Sequence, residues 1–351
     1  MVSVIIPVYN AERDVERLLV SLLKTRLPDC ELIVVDDGST DSTVTRCRQF
    51  PSVRVISLPE NRGPAYARNF GTSKARGDVF IFVDADVVVP ENSDILWEMA
   101  RVFDEKHHVD CVSSPSDVRP FVENAVAYNA SVYHAYYMDK IFGGRSAVEG
   151  RIMFFTTRFG GVRRQAFQAI GGFHESLYTV MSEDGEFGCR AYHEGLVSHF
   201  DRKFIHLHRY ATTFRKFVRS YFLSAMVQRF MDRKMDTRPN PTISSAEQFR
   251  RLLSFALLLS PAVLLLDLEV GAALILLGVV LLFAAFGRMN RLVWKHVPAR
   301  YRVQWYLVYL AITPFILAGY AWGECRFWMG RPLLQGRPSS NAFFRIGAEA
   351  S

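Results

Sequence analysis

The chain has 351 residues, 50% of them hydrophobic, and a formal net charge of +7. That length holds one α/β domain with a full core plus a smaller appendage, and the longest charge-free runs all follow Arg251 whereas the first two hundred residues have the composition of an ordinary globular domain. The basic residues gather beside the apolar segments, at Arg215, Lys216, Arg219, Arg229, Arg233, Lys234, Arg250 and Arg251, which disfavours nucleic acid as a partner and favours a membrane surface. From the start, β-rich runs alternate with amphipathic ones: Val2–Pro7, Ala11–Thr25, Glu31–Asp36, Ser42–Phe50, Val53–Leu58, Gly63–Ala75 and Asp78–Asp84. Strands separated by helical stretches of this length predict βαβ units and a mostly parallel, doubly wound sheet. VSVIIP, ELIVVD and DVFIFVD are apolar throughout, as strands covered on both faces are. Each ends in polar residues, at the strand end where such sheets collect ligands.

Beyond Pro90 the pattern predicts a helix over Ser93–Lys106, a strand over Asp110–Ser114 and a helix over Ala127–Phe142. The last contains Tyr128, Tyr133, Tyr136 and Tyr137, which serve either packing or an acceptor-binding surface. Arg151–Gly172 reads as strand, glycine-rich turn and short helix, and Ser182–Glu194 as a helix capped by Ser182. Thr212–Met235 spaces aromatic residues among arginines and lysines. It fits a basic amphipathic helix in a membrane interface or a helix packed on the preceding domain. Leu252–Leu266 and Val270–Phe286 predict a membrane hairpin with an acidic turn, and Val303–Gly323, interrupted by Pro314, is a third candidate segment. Arginines flank all three, so the positive-inside rule does not satisfy three spans; either the tail is translocated or the third segment is re-entrant or interfacial. The expected organisation is a catalytic domain over 1–211, a basic interfacial helix and linker over 212–250, membrane segments over 251–325 and a tail over 326–351.

Cys30, Cys47, Cys111, Cys189 and Cys325 lack CxxC spacing, so neither a zinc site nor a disulfide framework is expected. The opening MVSVIIPVYN starts a strand at once, without the features of a signal peptide, and leads us to expect a cytoplasmic N-terminal domain on a multi-pass membrane protein.

Six motifs carry chemistry: VSVIIPVYN (2–10), LIVVDDGSTD (32–41), NRGPAYARNFG (61–71), GDVFIFVDAD (77–86), GGFHE (171–175) and SEDGEFGCR (182–190). Pro7 and Tyr9 lie just beyond strand one, where a ring and exposed backbone can hold a flat base or simply form a strand-ending turn. Of Asp36 and Asp37, one carboxylate can accept from a base N–H while the other caps a helix or orients a neighbour. Arg68 reaches either a donor phosphate or the aspartate cluster, or forms a surface ion pair. Asp84 and Asp86 end a very apolar strand, and two carboxylates there call for something to neutralise them. Mg²⁺ or Mn²⁺ would suit that site.

In this order the motifs resemble those of family-2 glycosyltransferases, over roughly residues 1–210. The resemblance implies the GT-A fold, an inverting transfer from a nucleotide-sugar donor, and a divalent metal. It implies that Pro7, Tyr9, Asp36, Arg68 and Asp84 serve the donor, that Asp86 and His206 serve the metal, and that Asp184 is the general base. The composition around Glu183 and Asp184 also suits a helix N-terminus alone, and His206 or His208 can be structural. The processive synthases' QxxRW motif is absent: Gln228-Arg229-Phe230 lacks both its spacing and its tryptophan, which disfavours long-chain polymerisation. A lipid-linked or glycan acceptor at the membrane is expected, with a polyprenyl-phosphate sugar transferase and a catalytically silent membrane scaffold as the alternatives.

Overall fold

The structure, a computed structural model, describes residues 1–26, 29–91, 93–175, 183–234, 252–254, 256–257, 268–285 and 287–329. These form two compact units: Met1–Ser114 with Ala147–His206, and Pro115–Ser146 with Leu207–Gly330.

The first unit contains β1 (Val2–Val8), α1 (Val15–Leu23), β2 (Cys30–Asp36), α2 (Thr43–Cys47), β3 (Val53–Ser57), α3 (Pro64–Lys74), β4 (Val79–Val83), β5 (Val87–Val88), α4 (Ile95–Glu105) and β6 (Cys111–Ser113). After residue 146 it continues with β7 (Ala147–Gly150), β8 (Phe159–Arg163), α6 (Arg164–Ala169), α7 (Glu183–His193) and β9 (Ser198–Asp201). Eight strands make one sheet in the order β3-β2-β1-β4-β8-β6-β9-β7. Pairings among β3, β2, β1 and β4 are all parallel, as the βαβ pattern predicts. β8 then runs antiparallel to both β4 and β6, so the sheet as a whole is mixed.

Alternation along β1 explains why its whole length is apolar. Val4, Ile6 and Val8 pack with Leu18, Leu19 and Leu22 of α1, while Ile5 joins Phe80, Phe82, Phe167 and Phe187 on the other face. Gly71 of α3 lets that helix close on the sheet, since a β-carbon there would press on Ile5 and Val35. Strand order turns about β1: the chain goes out through β2 to β3 and returns through α3 to β4 on the opposite side. The carboxyl ends of β1 and β4 therefore flank a topological switch point, where sheets of this kind bind ligands.

The second unit is helical: α5 (Ala125–Phe142), β10 (Leu207–His208), α8 (Phe214–Lys234), then α9 (Leu268–Ala285), α10 (Gly287–His296) and α11 (Ala299–Trp328). The tyrosines of α5 pack. Tyr128 and Tyr136 are buried, and the Trp305 indole donates to the Tyr128 carbonyl while Asn129 Nδ2 donates to that of Trp305. Pro314 does not interrupt the third apolar segment; α11 runs as 30 helical residues through it. A proline inside a helix removes one backbone donor and crowds the carbonyl four residues back, a cost offset here by the burial of Ile312, Thr313 and Ile316 on either side of it.

Among the described residues α11 is also the one helix long and apolar enough to cross a membrane, with mean hydropathy 1.4. The expectation of several spans narrows accordingly to one such helix. Most of the hairpin's first arm and Ser182, the expected helix cap, lie outside the described residues, and α9 begins at Leu268, inside the expected acidic turn. The basic segment expected over Thr212–Met235 contains helix α8, Phe214–Lys234, which packs along α11.

Candidate active site

β1 ends in a loop pinned to the loop after β2. Asn10 takes a left-handed φ of +48°, a conformation asparagine tolerates better than most residues. Its backbone N–H donates to Ser39 Oγ at 2.9 Å, and its Oδ1 accepts from the Thr40 N–H at 2.9 Å. The pair leaves the Tyr9 ring half exposed above buried Pro7. Gly38, at φ +75°, is required where it stands, because a β-carbon would come within 2.8 Å of the Asn61 backbone nitrogen.

The two aspartates after β2 divide their roles. Asp37 accepts from the Arg62 N–H at 2.8 Å and the Gly63 N–H at 2.7 Å, tying β2 to the start of α3. Burial pushes its carboxyl up to about 6 against those two bonds. Asp36 accepts through Oδ1 from Ser39 N–H at 3.1 Å.

At the end of β4, Asp84 meets Arg68. The Arg68 guanidinium, 3% exposed, donates from Nη2 to Asp84 Oδ1 at 2.6 Å and from Nη1 to Glu183 Oε1 at 2.5 Å. A surface ion pair is thus ruled out for Arg68; it bridges the strand end to the first residue of α7. Burial opposes its charge, but the two carboxylates outweigh burial and raise its pKa. Glu183 is raised by burial, which outweighs Arg68. Asp184, partly exposed beside it, is raised first by burial and further by Asp84, while Arg158 and Arg68 act the other way. The carboxylates Asp84, Glu183 and Asp184 outnumber the guanidinium groups of Arg68 and Arg158 in this neighbourhood. Such a surplus of hard oxygen donors fits a divalent cation.

His206 is fully buried. Its Nδ1 lies 3.1 Å from Ser114 Oγ, and its ring stacks on Phe159 at 5.9 Å between centroids. Phe159 pairs in register with Val83, so His206 belongs to the same end of the sheet as Asp84. Among the described residues no three His, Cys, Asp or Glu side chains converge as a complete protein-made metal cage. Mg²⁺ and Mn²⁺ sites that share a substrate diphosphate use only one or two protein carboxylates, a number that the strand-end aspartates of β4 can supply.

Three positioning residues were missed by the sequence reading. Asn69 Nδ2 donates to the Phe173 carbonyl at 2.8 Å, and its Oδ1 accepts the Phe173 N–H at 2.9 Å, a closed amide pair that holds the Gly171–Phe173 turn. From α7, Arg190 donates to the carbonyls of Ile170 and Gly172 and forms a fork with Glu186. Both lie inside quoted motifs, and that position was their only signal. Glu183 was taken for a helix-start acid, not as the partner of a residue 115 positions earlier.

The sequence pattern described as glycosyl transferase family 2 matches residues 3–171. An uncharacterized glycosyltransferase of Haemophilus influenzae is 40% identical over 90 residues, 24% of this chain and 36% of the relative. YfnE of Bacillus subtilis, also an uncharacterized glycosyltransferase, is 26% identical over 254 residues, 59% of this chain and 64% of that one. The chain thus spans less than two thirds of the length of either curated relative. Among solved structures, the mannosyltransferase PcManGT from Pyrobaculum calidifontis, in complex with GDP-Man and Mn²⁺, superposes with TM-score 0.54 at 16% identity, covering 94% of this chain and 88% of that one. The family match ends at Gly171, the first glycine of the turn held by Asn69 and Arg190, and the shared fold extends through the helix that follows. Residues 3–171 of the chain match glycosyl transferase family 2, and the chain has the GT-A fold.

Proposed function

We propose that this chain transfers one sugar from a nucleotide-sugar donor to a hydroxyl of a lipid-linked or glycan acceptor, with inversion at the anomeric carbon. Tyr9 and Pro7 pack on the base, and Asp36 rather than Asp37 reads it, since Asp37 is committed to two backbone N–H groups. Asp84 and Asp86 face the sugar-diphosphate side, where Asp86 and His206 would hold Mg²⁺ or Mn²⁺. Such an ion supplies charge neutralisation for the departing nucleoside diphosphate. Arg68 acts as a positioning residue that keeps Asp84 and α7 in fixed relation. Asp184 accepts the acceptor's hydroxyl proton as the acceptor oxygen bonds to the anomeric carbon and the bond from that carbon to phosphate oxygen breaks.

The observation that carries this reading is the Asp84–Arg68–Glu183 bridge, which links the donor-side strand end to the helix bearing Asp184. Purified full-length protein should bind a nucleotide-sugar with an affinity that rises on adding Mn²⁺, and should release free nucleoside diphosphate slowly without acceptor. Release of pyrophosphate instead, or binding of no nucleotide-sugar from a panel of UDP- and GDP-sugars, would refute it.

A further inference from the structure

Helix α11 has the length and apolarity to cross a bilayer, yet it is locked to a basic helix. A β-carbon on Gly319 would strike the Phe222 carbonyl and lie 3.0 Å from the Ala225 β-carbon. One on Gly323 would strike the Met226 carbonyl and lie 3.1 Å from the Arg229 β-carbon. Arg229 Nε also donates to Glu324 Oε2 at 2.8 Å. Only glycine permits backbones this close, four residues apart on one face. Phe222 stands level with Gly319 and Met226 with Gly323, so α8 and α11 run parallel.

Continuing that register places Arg215 level with Ile312, Lys216 with Thr313 and Arg219 with Ile316. All three cations are exposed, and Thr313 is the midpoint of the charge-free run Val303–Gly323. A bilayer centred on that run would hold three cations at its midplane, where charged side chains are least tolerated. We propose that α11 does not cross the membrane: the α8–α11 pair lies along an anionic lipid surface.

Lipid is the occupant that the chemistry selects. Leu307, Phe315, Trp322 and Trp328 are exposed along α11 at about two-turn intervals, large apolar side chains spread over roughly 30 Å at the helical rise. Arg326 lies 5.9 Å from the Trp322 ring and Arg302 4.5 Å from that of Trp294, arginine–tryptophan pairs suited to the headgroup level. In the same unit α9 exposes Leu276, Leu277 and Val280, further apolar surface.

The test does not depend on the transfer reaction. Full-length Lys295→Cys protein is labelled with a membrane-impermeant maleimide in sealed inside-out vesicles, and the labelled peptides are mapped. Position 295 precedes α11, native Cys325 is near its end, and both are exposed. We expect both to label from the same face; labelling from opposite faces would overturn the proposal. In parallel, the purified protein should float with phosphatidylcholine vesicles containing phosphatidylglycerol at least about tenfold better than with phosphatidylcholine alone. Equal capture would remove the anionic surface from the proposal, and no flotation with either would remove lipid as the occupant.

Discussion

Asp184 sits in a field of opposed charges, and its raised pKa gives the proposed base a pH signature. Protonation removes the base, so the acid limb of kcat/KM should lie above the ordinary aspartate range, because Asp184 holds its proton at higher pH than a solvated carboxylate does. Asp184→Asn should abolish that limb and lower transfer by roughly 10²–10⁴-fold, while donor affinity measured by calorimetry stays near wild type. Near-normal transfer by this variant would exclude the assignment and favour a phosphate nucleophile that needs no base. Arg68 makes a different prediction. Arg68→Met leaves Asp84 and Glu183 without their shared cation, and removing one partner of a buried ion pair costs about 3–5 kcal/mol. Urea unfolding should show that loss; a change below about 1 kcal/mol would mean the bridge is dispensable. At Asp37 the folded carboxyl, at about 6, keeps its proton above the ordinary 3.8. Between those values the folded chain binds more protons than the unfolded one, so this group's contribution to stability falls as pH rises from about 4 to 6 and is level above. The difference in urea midpoint between wild type and Asp37→Asn, followed from pH 4 to 7, should change within that window and be flat above it.

At the level of elements, the parallel half of the sheet was legible because each of its strands is a short apolar run bounded by a helix with clear periodicity. The pinned loops were legible as motifs but not as geometry: nothing in NRGPAYARNFG tells that Arg68 faces inward and Asn69 clamps a turn 104 positions later. Reading α8 by itself as an amphipathic helix left two of its environments open, and its neighbour is α11. The signal for that neighbour was present as Gly319 and Gly323, four apart in an apolar helix. Gly319→Leu should force α8 and α11 apart, since the obstructing atoms are backbone and cannot yield. Overpacking of this kind costs about 1–3 kcal/mol, which thermal unfolding of the full-length protein should register; an unchanged midpoint would mean that the helices do not pack as described.

Across the whole molecule, the proposed donor-side residues come from the first 86 positions and the proposed base from position 184, and long-range contacts join them. The bridge Arg68–Glu183 spans 115 positions, against 16 for Arg68–Asp84. Order of assembly follows from that disparity. Closing a longer loop costs more chain entropy, and pairings distant in sequence tend to wait for nearer ones. The β1–β4 half can gather Arg68 to Asp84 early, while the carboxylate of Glu183 docks after the main barrier has been crossed. Glu183→Gln should therefore quicken unfolding in stopped-flow denaturant jumps and leave the refolding limb nearly unmoved. A nascent chain released with its first half formed would already hold the proposed donor-side residues, but it would be chemically idle until the far carboxylates arrive.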